Sequence, residues 1–131
     1  MAENRIKFQE CLKFLVGGGS AVLVDYVAYR LLMRCGISVS VSKGISYVVG
    51  AAVGFFINKL WTFESRGFSS FEVVRYVLLY AVSACANAAV NKVVLALAGW
   101  QLFAFLCATG TSTVMNFLGQ KYFVFVKKTG D

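Results

Sequence analysis

Four long apolar runs alternate with short polar breaks along the chain. They cover about residues 14–33, 44–63, 76–97 and 102–123. Each matches the roughly 20 residues a helix needs to cross a hydrocarbon core about 30 Å thick. The first break, 34–43, is polar and contains Gly36. The second, 64–75, is the one sizeable polar linker, and the third is a tight turn from Ala98 to Gln101 around Trp100. Ser69 and Glu72 have the spacing of a capping box, which predicts the start of the third helix. Residues 1–13 mix Ile6, Phe8 and Leu12 with Arg5, Lys7, Glu10 and Lys13. That mixture fits either an amphipathic turn at a membrane surface or a polar tail. The first apolar run is too long for the core of a cleavable signal, so it is expected to stay in the membrane. No proline occurs, and continuous helices are the expectation.

The pattern also repeats. Lys59-Leu60-Trp61-Thr62-Phe63 closes the second run, and Lys121-Tyr122-Phe123-Val124-Phe125 closes the fourth, a shift of 121 − 59 = 62 residues. The same shift aligns Glu10 with Glu72, Lys13 with Arg75, Asp25 with Asn87 and Arg30 with Lys92. The expected architecture is an all-α integral membrane domain over residues 1–131. Its four transmembrane helices form two parallel helix-hairpin repeats, about 8–63 and 71–125, joined by a cytoplasmic linker at 64–70.

Composition agrees with a bilayer. The 131 residues are 59% hydrophobic and only 15% charged, with a mean hydropathy of +0.71. A soluble domain carries about 25% charged residues. The net charge of +7 would suggest nucleic acid in a soluble protein. Here the cations sort by side. Arg5, Lys7, Lys13, Lys59, Arg66, Arg75, Lys121, Lys127 and Lys128 fall with the termini and central linker, against Arg34 and Lys43 on the other face. The positive-inside rule then puts both termini in the cytoplasm.

Chemistry is sparse. There is no histidine, no phosphate loop and no nucleophile motif. Cys11, Cys35, Cys85 and Cys107 lack metal-site spacing and read as small membrane residues. No metal, no cofactor and no enzymatic activity are expected. The ionisable residues inside the runs are the candidates, because each costs about 2.5–3.5 kcal/mol to insert. Asp25, Arg30, Asn87, Asn91 and Lys92 form the candidate substrate-binding set. Arg30 is five residues beyond Asp25, about 140° around the helix, so the two do not share a face. Pairing of Asp25 with Lys92 across helices is the simpler arrangement, while Arg30 and Lys92 alternatively snorkel to headgroups. Gly50-x-x-x-Gly54 and the stripe Ala104, Ala108, Ser112 permit close helix contact. Asn58 and Asn116 are candidate helix-joining amides, and Trp61 a membrane-interface residue.

These residues resemble the GtrA-like family. The likeness lies in Phe14-Leu15-Val16-Gly17-Gly18 leading into Asp25, in Asn58-Lys59-Leu60-Trp61-Thr62-Phe63, in Asn116-Phe117 and in Lys121-Tyr122-Phe123-Val124-Phe125. It covers about residues 8–126. The resemblance implies a multi-pass protein of the bacterial cytoplasmic membrane that serves cell-surface polysaccharide synthesis. It implies movement of a polyprenyl-phosphate-linked monosaccharide, such as undecaprenyl-phosphate glucose, across that membrane. Some proteins of this kind are instead proposed to recruit glycosyltransferases. A homodimer enclosing the path is expected, with a glycosyltransferase as a further partner and no nucleic acid. The alternatives are a membrane adapter and a small proton-coupled exporter.

Overall fold

The computed structural model describes residues 5–126 and is helical throughout its regular structure. Lys127 and Lys128, counted above among the cytoplasmic cations, lie outside the described residues. The elements are α1 (Phe8–Arg34), α2 (Val39–Ile57) with a π turn at Asn58–Thr62, α3 (Ser70–Ala98), and α4 (Gln101–Gly119) with a π turn at Gln120–Val124. Counting each π turn with its helix, the four spans are 27, 24, 29 and 24 residues long. At about 1.5 Å per residue all four exceed a bilayer core. Large apolar side chains such as Val22, Leu23, Leu97 and Phe105 point outward, as lipid-facing helices require.

The chain divides into two compact units, 1–66 and 67–131. In the first, α1 packs along α2. A glycine-ended cap closes α1: Gly36 takes φ +88, and the Gly36 and Ile37 N–H groups donate to the Met33 and Leu32 carbonyls at 3.0 and 3.2 Å. That pairing satisfies carbonyls the helix leaves open, and only glycine adopts such a φ without cost. Ser38 then caps α2, its hydroxyl accepting from the Val41 N–H at 3.3 Å. Helix therefore resumes at Val39, and the polar break is shorter than the sequence suggests.

In the second unit α3 packs along α4. Ser69 caps α3 as its sequence predicts, with the Phe71 N–H donating to its hydroxyl at 3.2 Å. Gly99 ends α3 at φ +67. Trp100 is extended and stacks on Phe103 at 5.8 Å before α4 begins.

The aromatic-basic segments that close each hairpin are not α-helical. Both widen into π turns, closed by Phe63 N–H to Asn58 O and by Phe125 N–H to Gln120 O, each 2.8 Å. Such turns hold one residue more than an α turn and often mark functional positions. The helices run on without a break, as the lack of proline predicts, but their last turn is π rather than α. Each turn places an aromatic under a cation from the start of its unit. Lys13 lies 5.4 Å from the Trp61 ring and Arg75 5.8 Å from the Phe123 ring. Phe14, Phe55 and Phe63 fill the core beside the first turn, with Phe14 and Phe63 ring centres 6.4 Å apart. Tyr76, Phe117, Val124 and Phe125 are buried in the second unit.

Candidate functional site

The polar site of the first unit is built by two helix faces. On α1, Ala21, Asp25 and Tyr29 recur every four residues and share a side. On α2, Lys43, Ser46 and Gly50 follow at spacings of three and four and also share a side. Gly50 fixes how closely they meet. A Cβ there would lie 2.8 Å from the Ala21 carbonyl oxygen and 2.9 Å from the Asp25 Cβ. With no side chain at Gly50, the Asp25 carboxylate leaves α1 directly against α2. Ser46 then lies about one turn away and Lys43 about two.

The carboxylate is fully engaged. Lys43 Nζ donates to Asp25 Oδ1 at 2.9 Å and to Oδ2 at 2.8 Å. Ser46 Oγ donates to Oδ1 at 2.6 Å. Its longer contact to the Lys43 carbonyl, 3.1 Å, competes for the single hydroxyl proton. The Tyr29 ring flanks the ammonium at 5.8 Å. The two partners differ in exposure: the Lys43 side chain is 56% exposed, Asp25 only 17%. Asp25 lies nine residues from the Arg34 end of α1, about 14 Å along the axis. The ion pair thus joins a shielded carboxylate on α1 to an exposed ammonium near the start of α2. Its cation belongs to the residues assigned from sequence to the polar turn.

The second unit has an uncharged polar contact between its helices. Asn87 Nδ2 donates to Ser112 Oγ at 3.0 Å. The 62-residue shift puts Asn87 at the position of Asp25 and Ser112 at that of Gly50. It puts Phe105 at the position of Lys43 and buried Ala108 at that of Ser46. Asn91 is half-buried one turn from Asn87, and Lys92 is exposed. Arg30 is exposed in the first unit and lies 5.9 Å from the Tyr26 ring on its own helix. The candidate residues therefore gather as Asp25 with Lys43, Ser46 and Tyr29 in one unit, and as Asn87 with Ser112 in the other.

The packing candidates lie along the same seams. Gly50 and Gly54 are buried, and the space over Gly50 is filled by α1 of its own unit. Ala104 and Ala108 are buried on α4. Asn58 is buried, and its Oδ1 accepts from Thr62 Oγ1 at 2.9 Å across the π turn. Trp61 is the aromatic beneath Lys13. Asn116 Oδ1 is buried without a hydrogen-bond donor among the described residues.

Lys43, Ser46 and Tyr29 are missing from the sequence-derived set. The spacing Lys43-x-x-Ser46-x-x-x-Gly50 carries the signal once the Ser38 cap sets the helix start at Val39. Among the described residues no three His, Cys, Asp or Glu side chains gather into a metal-binding group. Residues 13–125, nearly the whole of the described chain, match the family model for the GtrA/DPMS transmembrane domain.

Proposed function

The chain belongs to the GtrA/DPMS transmembrane-domain family, and from that premise we propose that it moves the headgroup of a polyprenyl-phosphate-linked monosaccharide across a membrane. Undecaprenyl-phosphate glucose or a related sugar is the proposed cargo, and the bacterial cytoplasmic membrane the proposed location, with both termini cytoplasmic. The protein performs no covalent chemistry in this reading. A homodimer encloses the path, and a polyprenyl-phosphate glycosyltransferase supplies the substrate.

The observation that carries the reading is the Lys43–Asp25–Ser46 cluster inside the first hairpin. A carboxylate at the depth of Asp25 is costly to insert and is not needed to pack an apolar span. A sugar phosphate crossing the bilayer needs groups that replace water on both its hydroxyls and its charge. Carboxylate, ammonium, serine hydroxyl and, in the second unit, the Asn87 and Asn91 amides are such groups. Arg30 in the first unit and Lys92 in the second each offer a cation for a phosphate nearer the outer surface of their own hairpin.

Headgroup movement is tested with the purified protein in proteoliposomes carrying undecaprenyl-phosphate glucose. The expected result is protein-dependent access of the sugar to an external glucose-oxidising or lectin probe. Equal access in protein-free vesicles would reject translocation. Retained polysaccharide modification in cells expressing an Asp25→Asn/Lys43→Gln form would favour the adapter, which requires no ion pair within the span.

A further inference from the structure

We infer that Lys43 is the phosphate-binding cation of the first hairpin and that Asp25 is its resident counter-ion, which competes with the ligand and keeps its binding reversible. The inference rests on the lipid-linked substrate proposed above, and it moves the phosphate from Arg30 and Lys92 to a residue two helical turns beyond Gly50.

Geometry supports the assignment. An ammonium has three donors. Asp25 takes two of them, at 2.8 and 2.9 Å. The third is left for a ligand on the exposed side of Lys43, whose side chain is 56% accessible. Asp25, at 17%, is shielded behind it. An incoming phosphate oxygen therefore meets the cation before it meets the anion. Ser46 holds Asp25 Oδ1 at 2.6 Å, so the carboxylate keeps a donor as Lys43 turns toward the ligand. Tyr29 confines the ammonium from another side at 5.8 Å. A flexible four-carbon stem suits this exchange better than a guanidinium fork, which holds phosphate and carboxylate alike in fixed bidentate geometry.

Charge balance explains why the pair is present. A lone ammonium in a low-dielectric site would hold a phosphodiester too strongly to release it. Sharing that ammonium with a fixed carboxylate lowers the gain on binding. Arg30 and Lys92 lack such a device among the described residues: Arg30 lies over Tyr26, and both are exposed. The second hairpin has Phe105 and Ala108 where Lys43 and Ser46 stand. Phosphate binding by this device is confined to the first hairpin.

The test uses the full chain in detergent and measures its affinity for undecaprenyl phosphate, with and without glucose, and for neutral undecaprenol, by native mass spectrometry. Wild type is expected to bind both phosphates and to bind undecaprenol at least tenfold more weakly. Lys43→Gln should lose about tenfold in phosphate affinity, and Asp25→Asn should gain severalfold. The double variant Asp25→Asn/Lys43→Gln carries no unpaired charge and serves where a single variant fails to fold; it should bind phosphate and undecaprenol equally. Wild-type phosphate affinity in Lys43→Gln or in the double variant would overturn the assignment, as would equal binding of undecaprenol by wild type. Lys43-dependent phosphate binding without headgroup movement in proteoliposomes would reject translocation and leave this site standing. Headgroup movement at the wild-type rate in Lys43→Gln would do the reverse.

Discussion

Leu79 on α3 occupies the space that Gly119 leaves open on α4, so that a Cβ at Gly119 would fall within the Leu79 side chain. The 62-residue shift turns this pair into Gly17 and Ile57, with the glycine on the other helix. A Cβ at Gly17 would lie 2.9 Å from Ile57 Cγ2 and 3.2 Å from Asn58 Oδ1. One small and one branched residue meet at this level in each hairpin, in opposite order. Added volume at either glycine should therefore destabilise, and a cut in its partner should compensate. Gly119→Ala is expected to cost about 1–3 kcal/mol, and adding Leu79→Ala should recover part of it. Thermal unfolding of the single and double variants in detergent measures the coupling. Strictly additive effects would reject the pairing.

Gly50 is less forgiving, because the atom it faces is the Ala21 backbone carbonyl rather than a flexible side chain. Gly50→Ala should push α1 from α2 and cost more than Gly119→Ala. It should also separate Asp25 from Ser46. Cysteine pairs placed across α1 and α2 report that separation as slower crosslinking. An unchanged crosslinking rate would show that the helices do not need the glycine.

Removing one member of the ion pair leaves the other charge unpaired in the hairpin. Asp25→Asn and Lys43→Gln should each lower stability by about 1–3 kcal/mol, with Asp25→Asn near the lower end because the exposed stem of the remaining Lys43 lets its ammonium reach headgroups. The double variant should lose less than the sum. Unfolding midpoints of the three variants against wild type give the coupling energy, and none would be found if the 2.8 Å contact did not persist in the membrane.

Trp61→Leu should lose the Lys13 contact and cost about 0.5–1 kcal/mol beyond its packing. Lys13→Gln should cost a similar amount, and the pair together no more than either alone. Arg75 and Phe123, whose carbonyl also accepts from the guanidinium at 3.5 Å, should behave alike. Chemical unfolding in mixed micelles resolves differences of this size.

The distribution of Lys and Arg predicts that the connection at 35–38 and the linker at 64–69 lie on opposite sides of the membrane. Reporters of periplasmic and cytoplasmic location inserted at Gly36 and at Gly67 should give opposite signals. Both are exposed glycines with open space around them. Matching signals would overturn the four-span topology.

The helices are legible in the sequence because each apolar run is long, uninterrupted by proline and bounded by turn residues. Ser69 and Gly99 mark ends that chemistry dictates. The π turns are not legible. Asn58–Thr62 and Gln120–Val124 contain no glycine or proline, and a carbonyl accepting from five residues on has no side-chain signature. The depth of Asp25 follows from its distance to Arg34, but its partner does not. A lysine at the edge of an apolar run reads as a boundary, and only the weak signal of the Ser38 cap places Lys43 inside α2. Asn87 has the same register as Asp25, yet nothing in the residue type alone says that Ser112 is the group it meets.

The π turns at Asn58–Thr62 and Gln120–Val124 each take up one residue more than an α turn. The extra residue adds almost nothing to the total rotation, because a π turn rotates less per residue. Removing a single residue, Leu60 for example, would let the helix run on in α form. Trp61 and Phe63 would then keep nearly their present sides of the cylinder, on a span one residue shorter. Helix length and the direction of the closing aromatics are thus set separately, and a single-residue deletion at this point changes the first while leaving the second almost intact.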